Sequence, residues 1–283
     1  MTDAARDIVG FAAAGLAAGI VLRVLMRPVL ELPLLARENY RGVRVATAAG
    51  LVVVLAAVFV EGTRDILASF GAGHQVTPAR GLVLFTTLGF GLLGLLDDLI
   101  GSGHARGFRG HVGELAHGRL TTGGIKLVGG AALAIVLAGA TDGNAPARVL
   151  TDAALIALAA NLANQLDRRP GRVAKVAVPA FVALAATATY GDYLEGVAVV
   201  IGSTAALFVD DLRERLMLGD TGANVIGAAL GAGVVFSFPF DVRVGVLVAV
   251  AVLNVVGELS SFTRLIDKVP PLRALDRAGR IDP

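Results

Sequence analysis

The stretch from Ala79 to Ile100, ARGLVLFTTLGFGLLGLLDDLI, decides the fold class of this chain. It is an almost unbroken apolar run, and about 20 mainly apolar residues suffice for a helix to cross a hydrocarbon core. Similar runs recur through all 283 residues, of which 55% are hydrophobic and 17% charged, with a mean hydropathy of +0.73. We therefore predict an all-α, polytopic transmembrane helical bundle that forms a single domain over residues 1–283.

Nine segments of the sequence qualify as membrane spans by their apolar length. The 36 glycines fit this interpretation, because small residues let membrane helices approach closely. The nine predicted spans lie at about 8–26, 45–61, 79–100, 122–140, 149–166, 173–190, 193–210, 218–236 and 242–259.

Lys and Arg are divided unevenly between alternate connections of this bundle. Of the 25 Lys and Arg residues, 18 lie in the odd-numbered connections and the C-terminal tail, and 5 lie at the N-terminus and in the even-numbered connections. Basic residues are enriched on the cytoplasmic side of membrane proteins. This predicts an outside N-terminus and a cytoplasmic C-terminus, with the amphipathic basic tail at 262–283 lying along the inner membrane surface.

Charge and cysteine content exclude some classes of protein. The chain has no cysteine, so disulfides and thiolate metal sites are ruled out. The net charge of +2 gives no indication of a nucleic-acid partner.

Asp97 and Asp98 close the opening stretch, and Leu99 and Ile100 continue the apolar run beyond them. Charge near the hydrocarbon is costly, so acids in such a position are candidates for function. Adjacent carboxylates attract a divalent cation. A solvated helix end is the alternative interpretation.

A second polar group comprises Asn161, Asn164 and Asp167, which are spaced three residues apart. On a helix this spacing places all three on one face, where two amides and a carboxylate suit a nucleobase or a ribose. Hydrogen bonding between helices is the alternative.

The basic run from Arg168 to Arg172 follows directly. It indicates either attraction of phosphate or cytoplasmic topology, and the sequence favours neither.

A third group is LGDTGAN, at residues 218–224, where a connection enters a span. Gly219 and Gly222 flank Asp220, and glycine allows close backbone approach at a helix N-terminus that attracts anions. Asp220 either caps this helix or holds a metal ion. For Asp210 and Asp211, just upstream, we expect a solvated loop face.

Lys126 and three histidines complete the polar candidates. Lys126 lies early in the fourth predicted span and either snorkels to the interface or pairs with a phosphate. His104, His111 and His117 share one connection, but their spacing does not match a compact zinc site.

With these residues in hand, the chain resembles the polyprenyl-phosphate N-acetylhexosamine-1-phosphate transferase superfamily over roughly residues 39–230. The Asp97–Asp98 pair is similar to the paired aspartates of the family. The set Asn161, Asn164 and Asp167 is similar to its Asn-x-x-Asn-x-x-Asp motif. The stretch at 218–222 is similar to its Gly-Asp-x-Gly loop, and the Asn39–Gly42 stretch is a weaker match to its first cytoplasmic loop.

The resemblance implies a membrane transferase that joins a phospho-sugar from a UDP-sugar to a polyprenyl phosphate and releases UMP. It implies catalytic roles for Asp97, Asp98 and Asp220, with Mg²⁺ (or Mn²⁺) held by Asp220 and Asp98. It also implies an active site on the cytoplasmic face of the cell membrane, and relatives often form homodimers. The substrate-binding residues implied are Lys126, Asn161, Asn164, Asp167, Arg41 and His111.

The chain also departs from the family pattern. Relatives carry a late cytoplasmic loop with histidines, and the stretch after the ninth predicted span has none. His111 and His117 are candidates to replace that loop. The alternative is a catalytically silent or differently specific homologue that binds a lipid phosphate or a partner protein. A transporter is disfavoured, because the acids cluster at one face and not at mid-membrane.

Overall fold

The structure, a computed structural model, describes residues 3–73, 75–101, 122–142, 145–189 and 191–281. Within these ranges the regular elements are α-helices, a 3-10 helix at Pro33–Leu35 and one two-stranded antiparallel ribbon, β1 (Ala36–Glu38) and β2 (Arg44–Ala46). The helices are α1 (Asp3–Leu25), α2 (Arg27–Leu30), α3 (Leu51–Ser69), α4 (Pro78–Ile100), α5 (Thr122–Asp142), α6 (Pro146–Leu166), α7 (Arg172–Thr187), α8 (Asp192–Leu212), α9 (Gly219–Ser237), α10 (Phe240–Leu259), α11 (Phe262–Lys268) and α12 (Pro270–Arg277).

Each of the nine predicted spans falls on one of these helices, and six of the helices are long and apolar enough to cross a membrane. These six are α1, α4, α5, α6, α8 and α10. Of the others, α3 carries Glu61, Arg64 and Asp65, α7 has only 16 residues, and α9 begins with polar residues. The prediction of a helical membrane protein is therefore confirmed, whereas nine crossings remain a prediction.

Helix α3 differs most from its predicted position, since it covers Leu51–Ser69 and not 45–61. Its predicted start lies in β2, whose pairing with β1 takes residues 44–46 out of the helix. Its predicted end at Glu61 is overrun because that carboxylate is buried and ion-paired with Arg80 of α4. Glu61, which marks a helix end in the sequence-based prediction, thus lies inside α3 and forms a buried ion pair with Arg80.

Helix α9 is the centre of the bundle and packs against α4, α6, α7 and α8. Small residues allow this close packing. A Cβ atom added at Gly231 would lie 2.8 Å from the Cβ of Ala159 on α6, which is too close for two carbon atoms. Because α9 is fixed on several sides, its first turn is a rigid platform for the polar residues that begin it.

The C-terminal segment is anchored to the N-terminal end of α7. Arg172 forms a bidentate pair with Asp276 of α12, with its Nε 2.8 Å from Oδ1 and its Nη2 2.9 Å from Oδ2. The Lys175 ammonium donates to three carbonyl oxygens at the end of α12, those of Leu275, Asp276 and Ala278. The predicted amphipathic tail is therefore held by protein contacts, and its position relative to the membrane stays a prediction.

Candidate active site

Four helix ends converge at one end of the bundle: the C-terminal ends of α4 and α6 and the N-terminal ends of α5 and α9. They bring Asp97, Lys126, Asn161, Asn164 and Asp220 to the wall of one cavity of about 470 Å³. We call it the carboxylate cavity. Its walls away from the charges are apolar and include Phe90, Leu93, Leu127, Ala157 and Leu158.

Asp98 holds the first turn of α9 in place. Its carboxylate accepts hydrogen bonds from the backbone N–H groups of Asp220 (3.0 Å) and Thr221 (2.9 Å), and from the Thr221 hydroxyl (2.6 Å). The first N–H groups of a helix have no partner inside the helix. Asp98, from a different helix, supplies that partner and so fixes the backbone that carries Asp220.

Gly219 makes this arrangement sterically possible. Its φ is +69°, in the left-handed region, and an added Cβ would lie 2.6 Å from Oδ2 of Asp98 and 2.8 Å from the backbone nitrogen of Ala48. Only glycine meets both demands without strain. The backbone conformation and close contacts at position 219 therefore require the glycine that precedes Asp220 in the LGDTGAN stretch.

Asp97 and Asp220 face each other across the Lys126 ammonium. Lys126 is ion-paired with Asp220, and its Nζ lies 4.0 Å from Oδ2 of Asp97. The Asp220 carboxylate also interacts with the side chains of Asp97 and Asn164. The three charged side chains retain 21% to 25% exposure, and all three line the carboxylate cavity. Lys126 thus lies among the carboxylates at the polar end of the cavity.

The two asparagines of the predicted polar face have different partners. Asn164 donates to Oδ1 of Asn224 (3.1 Å), one turn after Asp220 on α9. Asn161 donates to Oδ1 of Asn254 on α10 (2.7 Å). Both side chains line the carboxylate cavity. The alternative of hydrogen bonding between helices is therefore confirmed for both asparagines, and their role in a site remains a prediction.

Asp167 lines a second cavity of about 340 Å³, which we call the loop cavity. It lies beyond the C-terminal end of α6, and its wall includes Asn39, Tyr40, Arg168, Arg169, Asp211 and Glu214. The Asp167 carboxyl is desolvated there, and the nearby Asp211, Asp220 and Asp98 carboxylates add repulsion, so its pKa lies well above its ordinary range.

The turn between β1 and β2 closes one side of the loop cavity. Asn39 Nδ2 donates to Oε2 of Glu214 (2.7 Å), and the Tyr40 hydroxyl donates to Oε1 (3.1 Å). Arg41 also pairs with Glu214, at 3.4 Å, but lies outside the cavity wall. The predicted substrate residue Arg41 is thus at the rim and partnered by a carboxylate.

The turn that follows Asp167 is fixed from two sides. The Gly171 N–H donates to Oδ2 of Asp211 (2.9 Å), and Arg280 Nε donates to the carbonyl of Pro170 (2.9 Å). Asp211 is 4% exposed. The expectation of a solvated face is therefore wrong for Asp211, because its partner is a backbone N–H that lies 40 residues earlier in the chain.

Sequence reasoning missed several polar residues that line the two cavities or contact residues that do. Asn224 follows Asp220 by four residues, a helical spacing that places both on one face and that could have identified it. Asn254 and Glu214 carry no comparable local signal, because their partners lie on other elements. His104, His111 and His117 lie outside the described residues.

Within the described ranges, no group of three or more His, Cys, Asp or Glu side chains is arranged to hold a metal ion. The Asp97 and Asp220 carboxylates and the nearby Asn164 amide nevertheless offer oxygen donors at one cavity wall. Mg²⁺ is usually bound by one or two carboxylates together with waters and substrate phosphates. The residues present therefore fit Mg²⁺ in company with a phosphate.

In comparisons with known proteins, no family model matches this sequence. No curated protein matches it either.

Proposed function

We propose that this chain is a membrane phospho-sugar transferase, which joins the phospho-sugar of a UDP-sugar to a polyprenyl phosphate and releases UMP. The observation that supports it most is the Asp97–Lys126–Asp220 set at the polar end of a cavity with apolar walls. Such a cavity suits a substrate with an anionic head and a long apolar chain. Phosphoryl transfer needs positioning and charge neutralisation more than covalent help from protein.

The lipid phosphate would enter the carboxylate cavity with its chain along Phe90, Leu93 and Leu127. Lys126 would leave its ion pair with Asp220 for the incoming phosphate. That exchange keeps the ammonium paired while releasing a carboxylate oxygen. Lys126 is suited to it because a lysine carries a point charge on a flexible stem.

Mg²⁺ would be held by Asp220 with Asp97, and it would neutralise charge on the diphosphate when bound. We assign the second ligand to Asp97 in place of Asp98, because Asp98 already accepts three hydrogen bonds from α9. Asp98 then acts by positioning Asp220.

The nucleoside would occupy the loop cavity, between Asp167 and the Asn39–Tyr40 turn. An oxygen of the lipid phosphate forms a bond to the β-phosphorus of the UDP-sugar. The bond from that phosphorus to the bridging oxygen breaks, its electron pair goes to UMP, and the sugar stays on the β-phosphate. Asn164 and Asn224 face the polar end of the carboxylate cavity and would orient the phosphates.

The distribution of Lys and Arg supports a cytoplasmic location for this end of the bundle. Asp97, Lys126, Asn164 and Asp220 share one end of the structure, as that topology requires. The UDP-sugar would then reach the site from the cytoplasm of a cell whose membrane holds the lipid.

The test is UMP release by the purified chain with Mg²⁺, a polyprenyl phosphate and a panel of UDP-sugars. Asp220→Asn is expected to lower release by about 10³-fold or more, since it removes one charge from a site that acts by electrostatics. Asp267→Asn is the matched control, because it removes a carboxylate that pairs with Arg277 on the exposed C-terminal segment.

Release with one or more sugars, lost in Asp220→Asn and kept in Asp267→Asn, supports the transferase. No release with any donor, from protein that binds the lipid phosphate, would contradict it. That result would favour the silent homologue.

A further inference from the structure

The three arginines of the run that follows Asp167 have different surroundings. Arg172 is 2% exposed and is engaged by Asp276. The Arg169 guanidinium carbon lies 4.1 Å above the centre of the Tyr40 ring. Arg168 is exposed, and it makes no hydrogen bond or ion pair with any residue in the described ranges. Of the three, Arg168 has the guanidinium that is available to a ligand.

Arg168 also occupies a special position between the two cavities. It lines the loop cavity beside Asp167, and it lines the carboxylate cavity beside Asn164 and Asp220. Among the described residues it is the one shared by both walls. A ligand that extends from one cavity to the other passes this side chain.

The backbone that carries Arg168 is held in place. The turn is fixed by the Gly171 N–H on Asp211 and by Arg280 on the Pro170 carbonyl, and Asp167 ends α6 directly before it. A charged side chain that projects from a fixed turn loses less freedom on binding than one on a mobile loop.

We propose that Arg168 binds the diphosphate of the nucleotide substrate where it crosses from the loop cavity to the carboxylate cavity. This role rests on the proposed function. A diphosphate at that point would approach the carboxylates of Asp211 on the loop cavity wall and Asp220 on the carboxylate cavity wall, and like charges repel. A guanidinium offsets that repulsion and binds phosphate through two parallel N–H···O hydrogen bonds.

In this position Arg168 would favour the binding of nucleoside diphosphates over monophosphates and nucleosides. In this arrangement a nucleoside in the loop cavity would place no phosphate at the junction, and a monophosphate would place one there. A diphosphate offers two phosphates and more charge. The contribution of Arg168 to affinity is therefore expected to rise from uridine to UMP to UDP.

The experiment measures the binding of uridine, UMP and UDP to the full-length chain by calorimetry, with Mg²⁺ present. Four proteins are compared: wild type, Arg168→Gln, Arg168→Lys and Arg213→Gln. Arg213 is the matched control, because it is exposed, lies at the end of α8 and lines neither cavity. Thermal unfolding of each variant checks that it is folded.

Arg168→Gln is expected to weaken UDP binding about tenfold or more, the usual scale of a charge-assisted contact. UMP is expected to be affected less and uridine not at all. Arg168→Lys is expected to fall between wild type and Arg168→Gln, because lysine keeps the charge but loses the paired geometry. Arg213→Gln is expected to bind all three ligands like wild type.

Two results would overturn this role while leaving the transferase standing. One is unchanged UDP binding in Arg168→Gln. The other is an equal loss for uridine, UMP and UDP, which would mean that Arg168 only supports the shape of the loop cavity. If wild type binds none of the three ligands, the proposed function fails, and the role of Arg168 fails with it.

Discussion

The two ends of the bundle both bury charge, but they balance it differently. At the end away from the cavities, Arg80 pairs with Glu61, Arg64 pairs with Glu195 at 3.5 Å, and Asp152 pairs with Arg243 at 2.9 Å. Each of these three acids has a cationic partner, and Arg80 and Asp152 are completely buried.

At the cavity end, Asp98 and Asp211 are held by backbone N–H groups instead. Asp98 accepts from the N–H groups of Asp220 and Thr221, Asp211 accepts from Gly171, and Asp97 and Asp220 share the single ammonium of Lys126. Backbone donors position a carboxylate without cancelling its charge. The ion pairs at the first end therefore hold helices together, whereas the acids at the cavity end remain able to attract a cation.

The largest effect on stability is expected from removing one partner of the buried Arg80–Glu61 ion pair. Arg80→Met leaves Glu61 buried without its partner, and losing one member of a buried pair costs about 3–5 kcal/mol. Thermal unfolding in detergent should show a large decrease in Tm. The folded fraction should retain full UMP release, because Arg80 lies at the other end of α4 from Asp97.

The double variant Glu61→Leu with Arg80→Met is the control for that experiment. Removing both charges together should restore most of the Tm, since a buried pair is often replaceable by apolar residues. A double variant as unstable as Arg80→Met alone would contradict the interpretation of this pair as a balanced structural contact.

A smaller effect on stability, with a larger effect on rate, is expected from Asp98→Asn. Asparagine keeps only one acceptor oxygen of the two used by α9, and loss of a helix cap costs about 0.5–2 kcal/mol. Displacement of the turn that carries Asp220 should lower UMP release about tenfold or more.

Two variants of Thr221 sharpen that comparison. Thr221→Ser keeps the hydroxyl that donates to Asp98, and Thr221→Val removes it. Thr221→Val should resemble Asp98→Asn, and Thr221→Ser should resemble wild type. If Asp98→Asn abolishes release while Thr221→Val has no effect, Asp98 takes part in the chemistry directly and is not a positioning residue.

The smallest expected effect on stability comes from a variant of Asp167, and this variant is expected to stabilise the chain. Its pKa is raised in the folded chain, so the folded state holds a proton that the unfolded state has already lost. Stability therefore falls as the pH rises from the ordinary aspartate value of about 3.9 up to the raised value, and the cost remains above it. Asp167→Asn should remove this cost.

The measurement is Tm against pH for wild type and Asp167→Asn. The variant is expected to gain stability over wild type as the pH increases, while its affinity for UDP decreases. Asp267→Asn, at an exposed site, serves as the control. A wild-type Tm that falls no faster with pH than that of the variant would contradict the assignment.

Local patterns were enough to predict most helices of this chain. The segment predicted at 79–100 is the helix Pro78–Ile100, and that at 149–166 lies within Pro146–Leu166. Apolar length and helical spacing are local properties, so they can be read from sequence. That Asp97 and Asp220 lie close together could be predicted only by combining the family resemblance with the predicted topology. Neither motif predicts it alone.

What was missed depends on partners far away in sequence. The start of α3 shifted because residues 44–46 pair with β1, and Asp211 is buried because Gly171 faces it. The role of Asp98 as a cap could not be read locally either, because its donors begin α9, 122 residues further along the chain. Contacts of this kind arise only from the packing of the complete bundle.

The bond between Asp98 and α9 has a consequence for the biosynthesis of the chain. Asp98 and its donor at Asp220 are separated by 122 residues. At 5–20 residues per second, the ribosome needs about 6–24 s to produce the second after the first. During that interval α4 has been made, but the N–H groups that donate to Asp98 in the folded chain have not. The carboxylate cavity can therefore be completed only after the first turn of α9 has been made, because Asp220 and Asn224 form part of its wall.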